Sequence, residues 1–154
     1  MALFNLQDLR ARLRPGQRLI GLDPGARRVG VALSDASLLL ASPRPALPRG
    51  KLAAMAAAIR ALAAEEDAGG LVVGLPLSLD GSFGPAAQAA KDWAAAISGA
   101  TGLPAALWDE RLSSAGVNRM LIGEADLSRK KRAAATDSAA AAWILQAALD
   151  ATRG

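Results

Sequence analysis

Two short segments near the start of the chain have patterns of apolar residues that are typical of a β-hairpin. Arg18–Asp23 is a compact apolar run that ends in Asp-Pro-Gly. After a predicted turn at Pro24–Arg28, the large apolar residues Val29, Val31 and Leu33 are separated by small ones. A period of two predicts strands that turn one face toward a core.

Further along the chain, strand-like and helix-like segments follow one another. A third strand is predicted at Leu38–Ala41 and is closed by Pro43, Pro45 and Pro48. Buried strands are predicted at Leu71–Leu75 and Ala105–Glu110. The predicted helices are Lys51–Glu66, 86–98, Ser113–Ile122 and Ala133–Ala151. This order of elements predicts an α/β protein with a mixed sheet and helices on its faces.

The first 17 residues form an amphipathic lead-in with Leu6, Leu9 and Leu13 at helical spacing, and Pro15-Gly16 breaks it. We treat residues 1–17 as separate and 18–154 as one domain, since 154 residues match one average domain. The N-terminus lacks the apolar region of a signal peptide, and no apolar run reaches the roughly 18 residues of a membrane span. We therefore expect a cytoplasmic protein without a membrane partner.

The amino-acid composition limits the kinds of catalytic and metal site that this chain can form. The chain contains no cysteine and no histidine. Thiolate or imidazole zinc sites, Ser-His-Asp triads and histidine bases are therefore excluded. Catalysis would have to rest on carboxylates, hydroxyls, Lys, Arg or a bound metal. The net charge of +4 suggests a polyanionic partner, although the arginine excess has a second explanation in a GC-rich genome.

Acidic residues occur at positions where burial of a charge is expensive. Asp23 ends the first strand, and either Asp109 or Glu110 ends the strand at 105–110. Because strand side chains alternate between faces, only one of these two neighbours can point toward a site shared with Asp23. Plain turn chemistry at Asp23-Pro24-Gly25 and a solvated strand end at 109–111 are the alternatives.

Asp137 lies on the face of the last helix that should pack on the sheet. It shares this face with Ala141, Ile144 and Ala148, at offsets of four, seven and eleven residues. An unpaired carboxylate there would cost several kcal/mol, so a cation is expected to compensate. With only oxygen ligands available, Mg²⁺ or Mn²⁺ is the natural candidate. A helix-dipole role for Asp137 stays open.

Four ordered motifs resemble the YqgF family of Holliday junction resolvase-like proteins, which are also named as nucleases of the 16S rRNA precursor. The first is Leu22–Ala32, similar to D-x-G-x-x-R-x-G-x-A. The second combines Val73–Pro76 with 80–85, and the third is Asp109–Ser113, similar to D-E-R-L-[ST]. The last covers 128–131 and continues from Asp137 to Leu145. Together they span about residues 19–149, which is far more specific than any one motif.

The resemblance implies an RNase H-like fold with a five-stranded mixed sheet and helices on both faces. It also implies a catalytic, metal-binding carboxylate site made by Asp23, Glu110 and Asp137, with Glu110 preferred over Asp109. The implied activity is metal-dependent hydrolysis of phosphodiester bonds in structured RNA, in processing of the 5′ end of pre-16S rRNA during ribosome biogenesis.

Several cations are candidates for binding nucleic acid. Arg28 and Arg111 could hold phosphates, since arginine binds them bidentately. Ser128–Arg132 is predicted as a basic connector beside the Asp137 helix. Its cations are Arg129, Lys130, Lys131 and Arg132. Ordinary surface charge is the alternative in each case.

Other functions remain open at this point. Cleavage of branched DNA would require a homodimer, because a resolvase cuts two strands symmetrically. A nucleotide-binding module is another class, since Asp-x-Gly near a first hairpin also opens the actin-like ATPases. A non-catalytic RNA-binding protein that keeps the fold is a third.

Overall fold

The computed structural model describes residues 3–78, 80–112 and 129–153, with side chains at 3–78, 80–111 and 138–153. The predicted helix Ser113–Ile122 lies outside these residues. The described strands are β1 (Leu3–Phe4), β2 (Arg18–Pro24), β3 (Arg28–Ser34), β4 (Ala41–Pro48), β5 (Ala68–Leu75) and β6 (Ala105–Asp109). The described α-helices are α1 (Leu6–Arg12), α2 (Leu52–Glu66), α3 (Pro85–Thr101) and α4 (Arg129–Ala151).

The strands form one mixed sheet in the order β1-β6-β5-β2-β3-β4. The strands β1, β6, β5 and β2 are parallel to one another, whereas β3 is antiparallel to both β2 and β4. The predicted hairpin and mixed sheet are therefore confirmed. The carboxyl ends of β2, β5 and β6 meet at one edge, and this edge carries the candidate site.

The sheet has six described strands and not the predicted five. The additional strand, β1, has two residues and pairs with Ala105 and Ala106 of β6. A strand of two residues is too short to show the alternating pattern of a strand in the sequence.

Helix α1 directly follows β1. It is capped by the Asn5 side chain, which accepts the Asp8 N–H at 2.8 Å. Its Leu6 and Leu9 are buried in the core.

The third predicted strand was placed too early. β4 covers Ala41–Pro48 and includes the three prolines that were expected to close it. Prolines are tolerated here because β4 is an edge strand and pairs on one side only. The residues before it form a turn in which Leu38 has a φ of 57°. The Asp35 carboxylate accepts the N–H groups of Leu39 and Leu40 at 2.7 and 3.0 Å.

Helices cover both faces of the sheet. One apolar cluster joins α2 and α3 to residues such as Ile20, Leu22 and Val73. A second cluster on the other face joins α1 and α4 to Leu19 and Val72.

α4 begins at Arg129, so the cations at 129–132 belong to a helix and not to the predicted connector. Among the described residues, no helix is long and apolar enough to cross a membrane.

Gly21 determines how closely α4 approaches the sheet. A Cβ at this position would lie 2.9 Å from the Leu145 Cβ and 3.2 Å from the Ala141 carbonyl oxygen. Only glycine leaves room for this contact between β2 and α4. The predicted buried stripe of Ala141, Ile144 and Ala148 is confirmed, since all three are fully buried.

Candidate active site

Two carboxylates meet at the carboxyl edge of the sheet. Asp23 is the penultimate residue of β2, and Glu110 follows β6 directly, as the first residue of a single 3-10 turn. β5 runs between these two strands. Its Gly74 follows Val73, the partner of Leu22 in β2, and is in register with Trp108 of β6. Both acids are half-buried and line one open cavity of about 400 Å³.

Gly74 leaves the space that the two carboxylates share. A Cβ at this position would lie 3.2 Å from Glu110 Oε2 and 3.8 Å from Asp23 Oδ1. The same Cβ would lie 3.0 Å from Ile144 Cδ1 of α4. The two carboxylate oxygens therefore approach one point, on the side of the sheet that α4 covers. Gly74 lies within the second motif, but no role was predicted for it from the sequence. A glycine inside an apolar strand run was the available signal.

Because side chains alternate between the two faces of a strand, Glu110 and Asp109 have different surroundings. Leu107 packs in the cluster beneath α2 and α3, whereas Trp108 packs beneath α4. Two residues after Trp108, Glu110 lies beside Gly74 and lines the cavity. Asp109 is not among the cavity-lining residues and pairs instead with Arg111. The structure therefore brings Glu110, and not Asp109, to Asp23.

The third predicted acid, Asp137, lies on α4, but its side chain is outside the described residues. Two contacts fix the direction of this helix relative to the carboxylates. Ile144 touches the Gly74 position, whereas Leu149 near the C-terminus accepts a hydrogen bond from Arg10 of α1. The N-terminal half of α4 is thus directed toward the carboxyl edge of the sheet. Among described residues, no three acidic side chains are close enough to form a metal site.

Arg111 is engaged within the protein. Its guanidinium donates to both Asp109 oxygens, with the shortest contact at 2.7 Å from Nη2 to Oδ2. These side-chain hydrogen bonds lower the pKa of Asp109 and raise that of Arg111. The guanidinium also lies against Gly81, where a Cβ would be 3.5 Å from Nη1. Arg111 therefore joins the turn that carries Glu110 to the loop after β5.

That loop is a compact hydrogen-bonded turn. Gly81 has a φ of 86°, and its N–H donates to the Ser78 carbonyl at 2.8 Å. The Asp80 carboxylate accepts the Ser82 N–H at 2.9 Å. This bond is the main cause of the lowered pKa of Asp80, and the positive charge of Arg111 lowers it further. This glycine-containing loop, which holds Gly81 and Gly84, is thus held beside the site.

The remaining predicted cations have different positions. Arg28 is half-buried at the start of β3 and is not among the residues that line the cavity. The side chains of Arg129, Lys130, Lys131 and Arg132 lie outside the described residues. Of the described residues around the cavity, Arg49 is the one cation. Sequence reasoning missed Arg49, because nothing in its local pattern distinguishes it from an ordinary loop arginine.

Comparisons with known proteins agree with the motifs. The family described as "RuvX: Holliday junction resolvase" matches residues 17–151. A protein of Gluconacetobacter diazotrophicus named "Putative pre-16S rRNA nuclease" is 62% identical over 152 residues, covering 99% of both chains. A protein of Gluconobacter oxydans with the same name is 58% identical and covers 99% of this chain and 96% of its own.

Among solved structures, Thermus thermophilus RuvC in complex with a Holliday junction substrate superposes with a TM-score of 0.52 at 15% identity. The match covers 88% of this chain and 94% of that one. At this identity the likeness concerns the fold alone, and it confirms the expected RNase H-like architecture. Motifs, sequence relatives and fold agree, and the chain belongs to the RuvX family, the family that its motifs resemble under the name YqgF.

Proposed function

We propose that this protein is a metal-dependent nuclease that hydrolyses phosphodiester bonds in the precursor of 16S rRNA. The observation that carries the proposal is the approach of the Asp23 and Glu110 carboxylates to the space left by Gly74, on an open cavity. Hydrolysis of a phosphodiester requires an activated water and a stabilised leaving oxygen. A concave site with converging carboxylates at the carboxyl edge of the sheet suits that chemistry.

The donor set fits Mg²⁺ or Mn²⁺. The available ligands are carboxylate oxygens, and the chain has no histidine or cysteine to favour zinc. Asp23 and Glu110 would hold the metal, and we propose Asp137 as a third ligand, since it shares a helix face with Ile144. When bound, such a metal supplies Lewis-acid activation of the phosphoryl group and of the attacking water.

The chain's own residues would orient the substrate around this site. The Asp109–Arg111 pair holds the turn that carries Glu110, and Gly81 rests on Arg111. We propose that the glycine-containing loop and the cations Arg28, Arg111, Arg129, Lys130, Lys131 and Arg132 contribute to nucleic-acid binding. Backbone N–H groups and arginine or lysine side chains give phosphates an electrostatic counterpart.

The proposed substrate follows from the names of two proteins with similar sequences. Two proteins at 62% and 58% identity, covering almost the whole chain, carry a name that specifies pre-16S rRNA. We therefore propose the 5′ end of that precursor as the substrate and the cytoplasm as the place of action. The alternative is a Holliday junction, which the family description favours. Symmetric cleavage of a junction would require a homodimer.

A side-by-side cleavage assay tests the proposal. Precursor 16S rRNA and a four-way DNA junction are offered with Mg²⁺ or with EDTA, and the oligomeric state is measured by light scattering. We expect Mg²⁺-dependent cleavage of the RNA. Preferred cleavage of the junction by a dimer would favour the alternative, and full activity in EDTA would contradict the metal dependence.

A melting experiment tests the third ligand independently of cleavage. Metal binding to the folded state raises thermal stability as RT ln(1 + [L]/Kd). We expect millimolar Mn²⁺ to raise the Tm of the wild type and of Asp67→Asn, and to raise that of Asp137→Asn much less. Asp67 is a suitable control because it is an exposed residue at the C-terminus of α2. Equal shifts in all three proteins would remove Asp137 from the site.

A further inference from the structure

Arg49 occupies a position that the proposed mechanism does not use. It follows the last residue of β4 and lines the same cavity as Asp23 and Glu110. The side chain is exposed and is the one cation among the described residues around this cavity. A cation on the same cavity as two carboxylates is the arrangement expected where a negatively charged group must approach acidic residues.

The guanidinium is held in place by the turn between β2 and β3. Arg49 Nη1 donates to the Gly25 carbonyl at 2.7 Å, and the Arg49 N–H donates to the Arg27 carbonyl at 2.9 Å. The turn is itself closed by a bond of 2.8 Å from the Gly25 N–H to the Arg28 carbonyl. Arg49 is therefore fixed to the segment that directly follows Asp23. A side chain fixed in this way loses little freedom when it binds a ligand.

Most of the binding capacity of Arg49 is not used within the described structure. A guanidinium carries five N–H donors, and one of its nitrogens contacts the Gly25 carbonyl. No carboxylate among the described side chains lies within ion-pairing distance of it, whereas Arg111 is paired with Asp109. The remaining donors can therefore take an anionic oxygen acceptor without breaking an existing ion pair.

We propose that Arg49 binds a phosphate of the nucleic-acid strand that enters the cavity and so aligns the strand with Asp23 and Glu110. The proposal rests on the proposed nuclease function. It assigns phosphate binding at this cavity to a residue outside the family motifs described above. The ligand chemistry is a phosphodiester oxygen, which matches the planar donor fork of arginine.

Binding of a fluorescein-labelled RNA hairpin, followed by anisotropy across a salt series, tests the proposal. All proteins carry Glu110→Gln, so that the probe stays intact. Arg49→Gln should weaken binding on the order of tenfold and reduce the slope of log Kd against log salt by about 0.9, the value for one lost duplex phosphate contact. Arg49→Lys should keep the slope, because it keeps the charge.

Arg60→Gln is the matched control. Arg60 is also exposed and also donates to one backbone carbonyl, that of Ala100 at 2.9 Å, but it does not line the cavity. We expect its Kd and salt slope to equal those of the parent. Equal values for Arg49→Gln and Arg60→Gln would overturn the proposal. An equal loss in Arg49→Gln and Arg49→Lys with an unchanged slope would also overturn it, since Arg49 would then act only on the turn.

Cleavage and binding assays distinguish a failure of the nuclease function from a failure of phosphate binding by Arg49. If the wild type cleaves neither RNA nor DNA in Mg²⁺ or Mn²⁺, the nuclease function fails, whatever Arg49 does in the binding assay. If the wild type cleaves, Arg49→Gln in the active background should raise KM on the order of tenfold and affect kcat less. An unchanged KM would overturn the assignment of Arg49 alone.

Discussion

Gly74→Ala is the most direct perturbation of the candidate site, because it adds one methyl group between the two carboxylates. The new Cβ would lie 3.2 Å from Glu110 Oε2 and 3.0 Å from Ile144 Cδ1. Both distances are tighter than ordinary van der Waals contact, so the neighbours must move by a few tenths of an ångström. Ile144 is fully buried and has little room to move. The Glu110 carboxylate, which is only half-buried, is therefore the group that yields.

The expected consequences differ for stability and activity. Overpacking of this kind costs about 1–3 kcal/mol, and the carboxylate's movement lowers the cost toward the smaller value. Catalysis is more sensitive, because a misplacement of about 1 Å can reduce a rate on the order of 100-fold. For a shift of a few tenths of an ångström, we expect kcat in Mg²⁺-dependent cleavage to fall on the order of tenfold, with a modest loss of Tm.

Gly99→Ala is the control for this experiment. Gly99 lies inside α3, and a Cβ there would have no atom within 4 Å. Alanine at a helical position is more favourable than glycine, so we expect Gly99→Ala to be stabilised by about 0.5–1 kcal/mol with unchanged kcat. The reasoning is refuted if Gly74→Ala keeps the full wild-type kcat at saturating substrate while Gly99→Ala behaves as expected.

Three further predictions concern other parts of the structure. Gly21→Ala should lower the free energy of unfolding by about 1–3 kcal/mol in urea denaturation, because its Cβ would lie 2.9 Å from the Leu145 Cβ; a neutral effect would contradict the close approach of α4. Glu110→Gln should abolish cleavage, whereas Asp109→Asn should reduce it much less. The reverse order in a cleavage assay would show that Asp109, and not Glu110, acts together with Asp23. Hydrogen bonds from the Leu40 and Leu39 N–H groups lower the pKa of Asp35, so its stabilising effect is complete above the unfolded value of 3.8 and is lost as the pH falls through the folded value. In denaturation at several pH values, the stability difference between wild type and Asp35→Asn should therefore shrink below about pH 4, and a constant difference would exclude this role.

The order of the main elements could be predicted from local patterns. The apolar run at 18–23 and the alternation at 29–34 predicted the hairpin, and the apolar stripe of the last helix correctly identified Ala141, Ile144 and Ala148 as buried. These patterns are reliable because a strand or helix that covers one face of a core must repeat its apolar residues at the period of its own geometry. The strand predictions were wrong in two places. β1 was missed because it has only two residues, and β4 was placed too early because its prolines were expected to end a strand.

For the site, the sequence determined which residue types were available. Without histidine and cysteine, carboxylates and arginines were the candidates, and strand ends indicated Asp23 and either Asp109 or Glu110. The choice between the last two depended on which face of β6 packs beneath α4, and tertiary packing decides that. Asp137 lies outside the described side chains, so its place at the site stays a prediction.

Tertiary structure alone decided the surroundings of Gly74, Arg49 and Arg111. Gly74 matters because Asp23 of β2, Glu110 in the turn after β6 and Ile144 of α4 lie around it, and these residues are distant in the sequence. Arg49 reaches the cavity because β4 ends beside the turn at Gly25, and Arg111 is engaged because Asp109 and Gly81 are adjacent in space. A local pattern records the period of one element but not which elements pack together. Contacts between elements are therefore set by the topology of the sheet, and they become visible only once the chain has folded.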